Sequence, residues 1–235
     1  MSKKAVSKKV YLAIALVVIL VVSIAAVVYV TQQHSTPKPV VNVSSGLQVG
    51  DTFTYNITGV SYLYSSDANP DSEYPGFEGL NNTAYTVTIT GVNGTIVSYS
   101  TNMILTNGTS SPSTGFVNIS SGNPTGDAGF WAIYPTNLNL GDLVNPGNPD
   151  GPMVSNFGNQ TYSDSSRGVD YFSISQNFTN INDPTGNTQQ QRIDNVVFDQ
   201  STGMLTSLED IQEFNNPEMT LDITWQLTAT SVWTI

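Results

Sequence analysis

The sequence predicts a mainly β protein: one N-terminal transmembrane helix, then a bent antiparallel sheet or β-sandwich with long loops. Three observations lead there. Residues 10–30 are an uncharged apolar run of 21 residues. Most later segments alternate apolar and polar residues with period two, as half-buried strands do. Asn-Gly pairs at 93–94 and 107–108 stand between such segments, where positive φ lets a hairpin turn tightly.

The apolar run comes first. At about 1.5 Å rise per residue it reaches about 30 Å, the hydrocarbon thickness of a bilayer. In lipid the backbone must satisfy its own hydrogen bonds, so even a Val- and Ile-rich segment is driven to helix. Lys3, Lys4, Lys8 and Lys9 precede the run, and uncharged Thr31, Gln32 and Gln33 with His34 follow it. Positive charge stays inside, so residues 1–9 read as a cytoplasmic basic tail and everything after residue 30 as extracytoplasmic. Tyr29 suits the outer headgroup level. The run exceeds the usual apolar region of a cleaved signal, which favours an uncleaved anchor, although Ser23-Ile24-Ala25 offers a small-x-small exit. A pilin-like subunit, cleaved near Lys4-Ala5-Val6, is a further option; it would leave Lys8 and Lys9 inside the mature helix, where unpaired charge is costly.

Residues 31–40, with Pro37 and Pro39, read as a stiff spacer. Residues 41–235 are then one extracytoplasmic β-rich domain. Its strands begin with DTFTYNI, which puts Phe53, Tyr55 and Ile57 on one face. AYTVTIT follows with Tyr85, Val87 and Ile89 together, turning into TIVSYSTNMIL. VDYFSISQNF, RIDNVVFD, GMLTSLED and TLDITWQLTATSVW repeat the pattern, and DQSTG at 199–203 reads as a hairpin loop. Residues 207–214, SLEDIQEF, suggest a short turn or helix. NLNLGDLVNPGNPDGPM at 137–153 reads as loop, because its glycines and prolines break regular structure.

Charge limits the partners. Beyond residue 38 only Arg167 and Arg192 stand against eighteen acidic residues, a net charge of −16. Such a field repels nucleic acid and favours cations or cationic surfaces. Cysteine is absent, which excludes thiol catalysis, disulfide scaffolds and thiolate zinc sites and suits a maker that does not rely on oxidative folding. Sequons at Asn42, Asn56, Asn81, Asn93, Asn107, Asn118, Asn159 and Asn177 predict a glycoprotein on this topology.

GLQVGDTFTYNITG, NLNLGDLV and VVFDQSTGMLTSL, in that order, resemble uncharacterised archaeal single-span surface proteins with a β-rich extracytoplasmic domain. Some of those domains look like the lipoprotein-carrier type, a curved sheet cupping a hydrophobic hollow. The resemblance implies binding of lipid or another apolar ligand.

Two constellations carry candidate chemistry. Asp67, Asn69, Asp71, Glu73 and Glu78 fall at positions one, three, five, seven and twelve of an EF-hand-like calcium loop. Ser72 replaces the expected glycine, and Pro70 and Pro75 stiffen the loop, so calcium is a candidate cofactor and no other is indicated. The cluster GFWAIYP at 129–135 fits no simple alternation, and Phe130, Trp131 and Tyr134 are the candidate binding residues for a protein or glycan. The single histidine, His34, lies in the spacer, so no Ser-His-acid triad can form within the domain. Asp142, Asp170, Asp194 and Asp199 could supply a glycosidase-like pair, as the carboxylates of any acidic β domain could.

The expectation is a non-catalytic, single-pass cell-surface module, binding or structural, held to the bilayer by residues 10–30. The alternatives are a pilin-like or strand-exchanging filament subunit that self-assembles, and a carrier-like domain for lipids or apolar ligands.

Overall fold

Alternation becomes a sheet because successive side chains of a strand point to opposite faces, so one face can be apolar throughout. The computed structural model describes residues 43–63, 81–105, 107–163, 165–179, 189–215 and 218–235. All belong to one unit, Asn42–Ile235. Ten strands are present: β1 (Thr52–Leu63), β2 (Thr83–Asn93), β3 (Ile96–Ile104), β4 (Ser110–Asn118), β5 (Asn123–Gly126), β6 (Asn156–Thr161), β7 (Ser166–Thr179), β8 (Gln189–Asp199), β9 (Leu205–Asn215) and β10 (Glu218–Thr230). They form a single antiparallel sheet in the order β5-β4-β3-β2-β1-β10-β9-β8-β7-β6. Of the two architectures the sequence allowed, the described residues adopt the bent sheet, with no second sheet. No helix occurs among them, and so none long and apolar enough to cross a membrane. The apolar run 10–30 lies outside the described residues.

The topology is two five-stranded meanders joined at the middle by β1 and β10. Phe53, Tyr55 and Ile57 of β1, Tyr85, Val87 and Ile89 of β2, and Val97 and Tyr99 of β3 are buried on one face. Leu221 and Leu227 of β10, Leu208 of β9, Val196 of β8 and Phe172 of β7 continue that face across the sheet. The sheet curls around it. The Tyr55 hydroxyl donates to the Leu205 carbonyl at 2.9 Å. Those residues lie on β1 and β9, two strands and roughly 9.6 Å apart on a flat sheet, beyond a tyrosine standing upright.

Residues 127–155 link β5 to β6, which are the two opposite edges, so this segment must cross the sheet. It does so over the buried face. Phe130, Ala132, Ile133, Tyr134, Leu138 and Val144 are all buried. Backbone bonds fix the path: Leu205 N–H donates to Ala132 at 3.3 Å, and Tyr134 N–H to Gly203 at 2.8 Å. Gly203 sits at φ 77° in the β8–β9 loop, and a Cβ there would strike the Tyr134 carbonyl, so this turn requires glycine.

One expectation is overturned. SLEDIQEF at 207–214 lies inside β9, as strand and not helix. Leu208, Asp210 and Gln212 take the inward positions, and the polar members hide the alternation.

Candidate functional site

Between the crossing segment and the sheet lies a cavity of about 400 Å³. The sheet lines it with Ile57, Tyr85, Met103, Leu208, Ile223 and Trp225, and the crossing segment with Phe130, Trp131 and Ala132. β1, β2, β3, β9 and β10 thus meet in one hollow through residues far apart in sequence. Phe130 holds the segment in place. Its carbonyl accepts from the Tyr99 hydroxyl at 2.6 Å, and its ring lies 5.8 to 6.4 Å from those of Tyr55, Tyr85, Tyr99 and Trp225. Burial pushes the Tyr99 hydroxyl up to about 12, and burial raises Tyr85 and Tyr55 as well. All three phenols stay neutral and serve as apolar wall with a hydrogen-bonding tip.

The polar end is built by β8 and β9. Asp194 and Asp210 are direct cross-strand partners. Arg192 donates from Nε to Asp194 Oδ1 at 3.1 Å and reaches Asp210 Oδ2 from Nη2 at 3.1 Å. Gln212 Nε2 adds a bond to the same Asp210 oxygen at 3.0 Å. Asp210 Oδ1 has no hydrogen-bond partner among the described residues, although Asp210 is only 7% exposed. Arg192 and Asp210 both line the cavity. Burial raises the Asp194 carboxyl, opposed by Arg192 and reinforced by Asp210.

The far end of β8 carries a second ion pair of another kind. Asp199, fully buried, accepts from Arg167 Nε at 2.7 Å and Nη2 at 2.9 Å. Ser201 N–H, Thr202 N–H and the Thr202 hydroxyl donate to it as well. Arg167 lies 4.1 Å over the Trp233 ring, which packs against Phe53 and Tyr162. Every oxygen of this carboxylate is satisfied, so it holds the β8–β9 loop and is not free for chemistry.

The structure distributes the sequence candidates as follows. Phe130 and Trp131 line the cavity, while Tyr134 packs away from it against Phe172 and Phe198. Of the trio, Phe130 and Tyr134 are buried and Trp131 is half-buried. The calcium-loop candidates Asp67, Asn69, Asp71, Glu73 and Glu78 lie outside the described residues. Among the described residues no group of three or more His, Cys, Asp or Glu could hold a metal ion. Asn93, Asn107, Asn159 and Asn177 are exposed, Asn56, Asn81 and Asn118 are half-buried, and Asn42 lies outside the described residues. The carboxylates considered for catalysis do not pair with one another: Asp142 caps the turn at Asn139, Asp170 binds Gln200, Asp194 binds Arg192 and Asp199 binds Arg167.

Arg192 carries a signal of its own in the sequence. It is one of two basic residues in an acidic domain and stands two positions from Asp194, on the same strand face. An isolated arginine so placed marks an internal ion pair. No protein-family model matches the chain, and no curated protein matches it.

Proposed function

We propose that this chain is a non-catalytic, membrane-anchored cell-surface module that binds a small apolar or amphiphilic molecule in the hollow of its sheet. The cavity carries this reading. At about 400 Å³ it falls within the range of small-molecule sites, which run from about 300 to 1,000 Å³ and are mostly apolar with a few placed polar groups. Its walls follow that pattern, with aromatic and aliphatic side chains along the length and Arg192 and Asp210 as the charged members. The anchor rests on the length and flanks of residues 10–30.

The test uses the full chain in lipid nanodiscs, with empty discs as blank. Trp131 and Trp225 line the cavity and report on it by fluorescence. Titration with hexanol is expected to give a saturable change in the wild type and none in Ile223→Phe, which fills the hollow. A response that never saturates, or one unaltered in folded Ile223→Phe, overturns the binding function. Intact mass of the protein from carbonate-washed membranes tests the anchor: residues 1–30 should remain.

A further inference from the structure

From the charge and geometry at the polar end of the cavity, we infer that the ligand carries a cationic, hydrogen-bond-donating head, an alkylammonium, docked on Asp210 Oδ1. This deepens the proposed binding function and rests on it.

Arg192 meets both carboxylates, through Nε to Asp194 and Nη2 to Asp210. One guanidinium against two carboxylates leaves one negative charge in excess at the end of an apolar hollow. The atom left without a partner is an acceptor, Asp210 Oδ1, on a side chain that is 90% buried and lines the cavity. A buried carboxylate oxygen without a donor is costly, and a charged donor offsets the most. An ammonium satisfies both demands at once: it supplies the missing donor and cancels the excess charge. A carboxylate or phosphate head would meet Asp210 with like charge. A neutral alcohol would supply a donor but leave the charge. Burial raises the Asp194 carboxyl and the neighbouring Asp210 adds to the rise, the mark of negative charge crowded at this end of the hollow. The surroundings act in the same direction, since the chain beyond residue 38 has a net charge of −16 and draws cations towards it.

The hollow sets the scale of the tail. A water's share of liquid volume is about 30 Å³, and a methylene is similar, so the cavity holds on the order of a dozen non-hydrogen atoms.

Hexylamine, hexanol and hexanoate share one tail and differ only in the head. They are titrated into the full chain in nanodiscs, with the same tryptophan readout and empty-disc blanks. Hexylamine is expected to bind about tenfold or more tighter than hexanol, the gain of a charge-assisted bond to a buried group. Hexanoate is expected to bind weakest. Asp210→Asn should bring hexylamine to within about twofold of hexanol, because the amide keeps the shape and loses the charge. Equal binding of hexylamine and hexanol by the wild type, or preference for hexanoate, overturns the inference without any variant. So does a preference that survives in folded Asp210→Asn. If hexanol itself fails to bind, the binding function falls and this inference with it; if hexanol binds and the ammonium is not preferred, only the head group is wrong.

Discussion

Replacing Phe130 with alanine removes a ring that is only 6% exposed and faces four aromatic neighbours. Truncating a buried phenylalanine costs about 3–5 kcal/mol, rising with the void left behind. Here the ring borders a hollow of about 400 Å³, so the new void joins the old one and the walls gain little by collapsing. The lost rings add an edge-to-face contact with Tyr99 and a stacked one with Tyr85. A loss of about 3–4 kcal/mol is expected. In a domain of this size each kcal/mol lowers Tm by about 2–4 °C, so the melt should fall by roughly 6–16 °C. Circular dichroism of the full chain in nanodiscs measures it. Trp131→Ala is the control, since its ring is half-buried beside the same hollow and should cost less than about 2 kcal/mol. A Phe130→Ala melt within about 2 °C of the wild type would refute the seating of residues 127–155 on the sheet.

Asp199→Ala strands Arg167 and three further donors, and breaking such a buried pair costs about 3–5 kcal/mol; Asp199→Asn should lose less, and equal melts would contradict the latch at the β8–β9 loop. The pH response follows from Asp170, Asp194 and Asp222, whose carboxyls burial raises above the ordinary value. Raised acids bind more protons folded than unfolded, so their contribution is present at low pH and is lost as pH rises from the unfolded value through the raised one. The melt should therefore rise on moving from neutral to mildly acidic buffer, and Asp194→Asn should flatten that slope; a melt that falls steadily over that interval contradicts the assignment. Glycans, if the source attaches them, should occupy exposed Asn93, Asn107, Asn159 and Asn177 ahead of half-buried Asn81 and Asn118. The side-chain oxygens of Asn81, Asn118 and exposed Asn107 each accept a backbone N–H, from Gly59, Ser120 and Thr109, so exposure alone sets the order. Glycopeptide mass spectrometry reads the order, and fuller occupancy at Asn81 or Asn118 would reverse it.

The sheet was legible where its residues obey one rule at a time. β1 to β3 alternate cleanly, and Gly94 and Gly108 take positive φ at the Asn-Gly turns where the sequence places them. β4, β5 and β6 were not legible, because SSPSTGFVN, NPTG and NFGNQT are short or poor in apolar residues at the sheet's margins. The later half of β9 does not show as strand in the sequence, since a carboxylate occupies an inward position, where Arg192 on the neighbouring strand and Gln212 on its own bond its Oδ2. Phe130 and Trp131 stood out for breaking alternation, and they do so because their segment is neither strand nor outer loop but lies across the buried face. The hollow is invisible to local pattern, as Ile57, Met103, Leu208 and Trp225 come together only when the sheet curls.

Within the sheet the two meanders are hydrogen-bonded to each other along β1 and β10, and Thr52 N–H donates to Ser231 Oγ across 179 positions. Each meander can zip by short hairpin steps, but neither can cover its inner edge alone. At synthesis rates of about 5–20 residues per second, β1 must wait roughly ten to forty seconds for its neighbour. During that interval a long, apolar edge strand stands open, the condition under which chains pair with the wrong partner. A chain built this way places a premium on escort during its birth, and a protease that trims its last dozen residues would unzip it at the centre, not fray it at the margin.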